Sequence, residues 1–152
     1  MPVTTRSADQ VLTTEASASD FVHIRQLARL VTRIYDDALR PFGISAAQYV
    51  LLRDLQLAGA KAYELGTRYD IEKSTISRNL SRLIALEYVT VGANQGRSGK
   101  TLTLTRSGED TLRRARTAWV AVEQKVQGVM PAGSTELIRE CISRIRGIAP
   151  PA

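Results

Sequence analysis

The stretch Lys73-Ser-Thr-Ile-Ser-Arg-Asn-Leu-Ser-Arg-Leu-Ile-Ala-Leu86 decides how the rest of the chain is read. At helical spacing Ile76, Leu80 and Leu83 share one narrow face with Ile84 beside it, while Ser74, Arg78, Ser81 and Arg82 fall on the opposite face. Such a helix docks on its own domain by one side and offers hydroxyls and guanidinium groups on the other. Ahead of it, Ala62 to Tyr69 reads as a short helix carrying Tyr63, Leu65 and Tyr69, and Asp70 and Ile71 form a tight turn. The pair makes a helix-turn-helix. After Glu87 the period switches from helical to twofold: Tyr88 to Val91 and Thr101 to Thr105 read as two strands, joined by a tip with Gly92, Gly96, Gly99, Arg97 and Lys100. This predicts a hairpin with a long basic tip.

Outward from this centre the chain is helical. Ser45 and Gln48 have the spacing of a capping box, ahead of the apolar run Tyr49, Leu51, Leu52, Leu55, so a helix starts there and ends near Gly59. Phe21, Ile24, Ala28, Val31, Tyr35, Ala38 and Phe42, widened by Leu27, Leu30 and Ile34, predict a long helix with Asp20 as N-cap and Pro41 and Gly43 as its stop. Thr105 caps a further helix in which Gly108, Leu112, Ala115, Trp119, Val122, Val126 and Val129 keep close to a seven-residue repeat. Pro131 and Gly133 break it, and Leu137, Cys141, Ile145 and Ile148 mark a last helix ending around Gly147. Residues 1–19, rich in Thr, Ser and Ala, read as a mobile arm, and 149–152 as a tail. The expected fold class is mainly α with a small β-hairpin wing: a winged helix-turn-helix lobe over 45–106, within a single domain over 20–148.

Composition narrows the function. The 152 residues carry a net charge of +6, which favours a polyanionic partner. From Lys73 to Arg106 the cations are Lys73, Arg78, Arg82, Arg97, Lys100 and Arg106, and the only carboxylate is Glu87. An α-helix fits the major groove of B-DNA, so Arg78 and Arg82 are candidates for reading or clamping the groove. Lys73, Ser74, Thr75 and Ser77 at the helix start are candidates for phosphate and base-edge contacts, with Ser45 assigned to the same surface. Arg97 and Lys100 sit where a wing reaches the adjacent minor groove or backbone. A solvated charged helix face is the bland alternative; the basic hairpin directly after it favours nucleic acid.

The segments YELGTRYDIEKSTISRNLSRLIALEYV and GRSGKTLTLTRSGEDTL resemble the MarR family of bacterial winged-helix regulators, over roughly Phe21 to Ile148. The resemblance implies a DNA-binding lobe in the middle and dimerisation helices over 20–42 and 107–148. It also implies repression of transcription relieved by a small aromatic or phenolic ligand, and a minor-groove contact by Arg97. The family's wing commonly carries an Asp-Arg pair, and here Gly96 stands where the Asp would be, which leaves Arg97 without a fixed partner. The expected partners are a second copy of the chain, a pseudo-palindromic double-stranded operator and a small-molecule effector, for which His23 and Tyr35 are the candidate ligand residues.

Two alternatives stay open on the residues: a winged-helix protein-interaction module without DNA binding, and a redox-responsive regulator using Cys141, although the place of Cys141 on an apolar stripe argues for simple burial. One His, one Cys, no metal-ligand cluster, no phosphate loop after a strand and no nucleophile elbow speak against an enzyme, a metal or a cofactor. The sequence shows neither a secretory signal nor an apolar run long enough to span a bilayer, so a soluble cytoplasmic protein without a membrane partner is expected.

Overall fold

The computed structural model describes residues 19–58, 60–94 and 100–148. The expected N-terminal arm (apart from Ser19), the C-terminal tail and the hairpin tip with Gly96 and Arg97 lie outside the described residues. Helix α1 spans Asp20–Leu39 and is followed by a 3-10 turn, Arg40–Phe42. Then come α2 (Ala46–Ala58), β1 (Ala60–Lys61), α3 (Ala62–Tyr69), α4 (Lys73–Ala85), β2 (Val89–Asn94), β3 (Lys100–Leu104), α5 (Arg106–Val129) and α6 (Ser134–Arg146). The protein is thus mainly helical with a small antiparallel hairpin, the winged-helix arrangement anticipated from the sequence. None of the described helices is long and apolar enough to cross a membrane.

By its contacts the chain forms two compact units, one ending at Ile34 within α1 and the other starting at Tyr35. In the second unit Leu39, Ile44, Tyr49, Leu52 and Leu55 meet Leu65 of α3, Ile76, Leu80 and Leu83 of α4, Val89 and Leu102 of the sheet, and Leu112 and Ala115 of α5 in one core. That core anchors every element of the helix-turn-helix and the base of the wing. In the first unit, residues 20–34 expose Phe21, Ile24, Leu27, Leu30 and Ile34.

Local chemistry explains most boundaries. The capping box forms as expected: Gln48 N donates to Ser45 Oγ at 3.2 Å, and Ser45 N donates to Gln48 Oε1 at 3.0 Å. At the start of α1, Ser19 occupies the cap position, its carbonyl accepting from Val22 N and His23 N, so Asp20 lies inside the helix and not at the cap. The same helix stops three residues before Phe42, because Pro41 favours a tighter turn that Gly43 closes in the left-handed region at φ 71°. The sheet has the order β1-β3-β2, and its two-residue strand β1 pairs Ala60 with Leu102. Between β2 and β3, Val91 pairs with Leu102 but Asn94 with Lys100, so one extra residue bulges on β2 on the way to the tip.

The end of α4, the wing and α5 converge on one joint. Glu87 adopts φ 57°, and Tyr88 N returns to Leu83 O at 2.9 Å, turning the chain from helix to strand. Thr105 ties this turn to α5: its hydroxyl accepts from Gly108 N at 3.0 Å and donates to Glu87 O at 2.6 Å. Its own N–H donates to Tyr88 O at 3.1 Å. Gly108 lies so near that a Cβ there would stand 2.2 Å from Tyr88 O. The helix cap read from the sequence is therefore also a clasp on the wing.

Candidate nucleic-acid interface

Helix α4 divides as its sequence requires. Ile76, Leu80 and Leu83 are at most 5% exposed, whereas Lys73, Ser74, Thr75, Ser77, Arg78, Ser81 and Arg82 are all exposed. Ile84, placed beside the buried stripe by its spacing, stands 38% exposed. Arg78 and Arg82 are one turn apart on the outer side, and neither forms an ion pair among the described residues. Two like charges at this separation repel by a few tenths of a kcal/mol in water. An anion laid along the helix relieves that repulsion. Glu72, at the N-cap position, makes no side-chain cap bond, which leaves first-turn N–H groups for an external acceptor.

The helix-turn-helix is braced from behind. Asp54 of α2, 4% exposed, accepts from Arg68 NH1 at 2.8 Å and from the Tyr69 hydroxyl at 2.6 Å, joining α2 to the last turn of α3. Burial, then the Asp54 hydrogen bond, raises the Tyr69 phenol above its ordinary value, so it remains the donor through neutral pH. Sequence reasoning passed over Asp54; a lone carboxylate inside the apolar run Tyr49 to Leu55 was the available signal.

The remaining candidates are dispersed. Ser45 is half-buried and its hydroxyl is engaged in the capping box. Lys100 opens β3, with only its backbone described, and Arg97 lies outside the described residues. His23 is exposed in the first unit. Tyr35 is 8% exposed and donates to Glu123 Oε2 at 2.6 Å. Its ring lies 4.5 Å from that of Trp119, which in turn stacks on Tyr49 at 4.4 Å and 12°. Burial, and after it the Glu123 carboxylate, raises the Tyr35 phenol strongly. Cys141 departs from the expectation of burial: it is exposed, as are Leu137, Ile138, Ile142 and Ile145 on the same helix and Ile148 just past its end. Of the expected stripe, Leu137, Cys141 and Ile145 lie on α6 and Ile148 lies beyond it, and none of the four is buried. Among the described residues no cluster of His, Cys, Asp and Glu could hold a metal ion.

The sequence matches no protein-family model and no curated protein. The structure, by contrast, is similar to solved transcriptional regulators. MosR of M. tuberculosis, solved in complex with DNA, is 28% identical with a TM-score of 0.73, covering 84% of this chain and 92% of that one. A mutant MarR from E. coli complexed with operator DNA has a TM-score of 0.74 at 18% identity, covering 86% of this chain and 96% of that one. PcaV from Streptomyces coelicolor, solved with its natural ligand, has a TM-score of 0.73 at 20% identity, covering 88% and 96%. At 18 and 20% identity the last two speak for the fold alone. In fold, the chain is therefore similar to solved winged helix-turn-helix regulators, MosR and MarR among them.

Proposed function

We propose that the protein is a homodimeric, sequence-specific DNA-binding regulator of transcription that lays α4 in the major groove, most simply as a repressor released by a small aromatic ligand. The observation that carries this reading is the division of α4, anchored by Ile76, Leu80 and Leu83 and outwardly bearing Arg78, Arg82 and the first-turn hydroxyls. A centre of a protein interface is typically depleted in charge, so this face suits phosphates and bases better than a protein partner. The DNA in the MosR complex, at 28% identity, supports the same reading. In it Arg78 and Arg82 contact the groove, Lys73, Ser74, Thr75 and Ser77 set the register, and Arg97 and Lys100 reach from the wing.

Dimerisation is supported by the apolar side chains left in water: Leu137, Ile138, Ile142 and Ile145 on α6, Ile148 just past its end, and Phe21, Ile24, Leu27, Leu30 and Ile34 in the first unit. Faces of this kind are seldom left uncovered in a soluble chain. A second copy covers them and sets two α4 helices about 10 bp apart on a near-palindromic site. A ligand that prefers an arrangement with the wrong spacing releases the DNA by shifting populations. PcaV, solved with its natural ligand, supports a small-molecule effector.

The test is a mobility shift on a duplex that the wild-type protein selects from a random pool, with salt titrated. Arg78→Ala and Arg82→Ala are each expected to weaken binding and to lower the slope of log K against log salt by about 1 where the lost contact is a phosphate. Binding that shows no salt dependence, or variants that bind like wild type, refutes the role given to α4.

A further inference from the structure

Arg146 closes α6, yet its guanidinium ends on the turn of the helix-turn-helix. Its Nε and NH2 both donate to Asp70 Oδ2, at 2.8 and 2.6 Å, and NH2 also reaches Arg68 O at 3.3 Å. Arg68 O is among the last carbonyls of α3, which lack an acceptor role within their own helix, so the guanidinium serves as a C-terminal cap for α3 as well as an ion partner. Asp70 is held at φ 50°, in the left-handed region that few side chains tolerate, and Ile71 N closes on Gly66 O at 3.0 Å. Only Asp70, Ile71 and Glu72 separate α3 from α4. Whatever fixes this turn therefore fixes where α4 begins.

We propose that Arg146 is a positioning residue for DNA recognition: its fork on Asp70 and Arg68 O is a strut from the C-terminal helix to the start of α4, coupling the seating of α6 to the pose of the recognition helix. The inference rests on the reading of α4 as the DNA-contacting helix. Its force comes from the double duty of α6, which also carries the exposed apolar side chains Leu137, Ile138, Ile142 and Ile145. A movement of α6 on its partner is transmitted by a planar, pre-organised guanidinium rather than by a flexible loop. Both members of the pair are about half exposed, so the strut is weak enough to break and re-form.

The test compares wild type, Asp70→Asn, Arg146→Gln and the double variant for their preference between a duplex selected by the wild-type protein and a random duplex. Asparagine tolerates the left-handed turn, and the ratio of the two affinities cancels the uniform effect of changing one charge near DNA. Each single variant is expected to lose about three- to fivefold of that preference, in keeping with an exposed pair, and the double variant no more than either single. Losses that multiply in the double variant, or an unchanged preference, overturn the strut. Hydrogen exchange without DNA supplies the second readout: amides at 71–76 should exchange faster in Arg146→Gln, and unchanged exchange also overturns it. A wild-type protein that prefers no duplex, together with faster exchange in Arg146→Gln, instead overturns the recognition-helix reading while the mechanical link stands.

Discussion

Gly108→Ala and Gly128→Ala place the same methyl group on the same helix and should act in opposite directions. At Gly108 the new Cβ would stand 2.2 Å from Tyr88 O, 3.0 Å from Tyr88 C and 3.2 Å from Tyr88 Cα. These are backbone atoms, and they cannot rotate away as a side-chain tip would. Tyr88 O is further held by Thr105 N at 3.1 Å, so relief requires the start of α5 to lift from the start of β2. Overpacking a tight site costs about 1–3 kcal/mol even where side chains can yield, and alanine recovers up to about 1 kcal/mol of helix propensity. With backbone as the obstacle, a net loss of about 2–4 kcal/mol is expected, lowering Tm by about 5–15 °C for a chain of this size. At Gly128 nothing lies within 4 Å, so only the propensity term remains, a gain of about 0.5–1 kcal/mol. Paired thermal and urea melts of the two variants measure both. A Gly108→Ala protein as stable as Gly128→Ala would refute the close approach and the clasp built on it.

Alkaline stability should be governed by three phenols. Tyr35, Tyr49 and Tyr69 are all raised above the ordinary value of 10.0, in each case first by burial. The folded protein keeps these groups protonated where the unfolded chain ionises, so stability is level below about pH 10 and falls above it, by up to about 1.4 kcal/mol per pH unit for Tyr35, with Tyr49 and Tyr69 acting in the same direction. Urea midpoints between pH 8 and 11.5 should bend downward near pH 10, and Tyr35→Phe should make the slope clearly shallower; a slope left intact by that substitution rules out Tyr35 as a contributor. Thr105→Ala removes both the acceptor for Gly108 N and the donor to Glu87 O, and is expected to cost about 1–2 kcal/mol, most of it restored by Thr105→Ser, as read from melting curves.

Much of the molecule was legible because its signals are local. Ser45 with Gln48, Thr105 ahead of Gly108, the stripe Ile76, Leu80, Leu83 and the switch to twofold period after Glu87 are decided within a few residues, and each was found where its pattern put it. What escaped depends on partners distant in sequence. β1 is two residues long and forms only because Leu102 and Thr101 pass beside it. Gly108 read as one more position on the α5 stripe, since nothing in its neighbourhood announces the carbonyl of Tyr88 twenty residues earlier. Asp54 with Arg68, Tyr35 with Glu123, and Arg146 with Asp70 are likewise pairings made by the fold. For the candidate interface, the outward side of α4 could be read from spacing alone, whereas burial of Cys141 could not: a stripe says which residues lie together, not whether their cover comes from the same chain.

The stack of Tyr35, Trp119 and Tyr49 has a practical use. Trp119 is the sole indole in the chain, so all tryptophan emission comes from one address, where α1, α2 and α5 meet and the Glu123 carboxylate lies close by. Both neighbouring phenol rings are near enough to pass excitation to it and to change its colour or yield when they shift. Fluorescence of the unlabelled protein can therefore follow any rearrangement of that junction in real time, with no dye attached and no residue replaced.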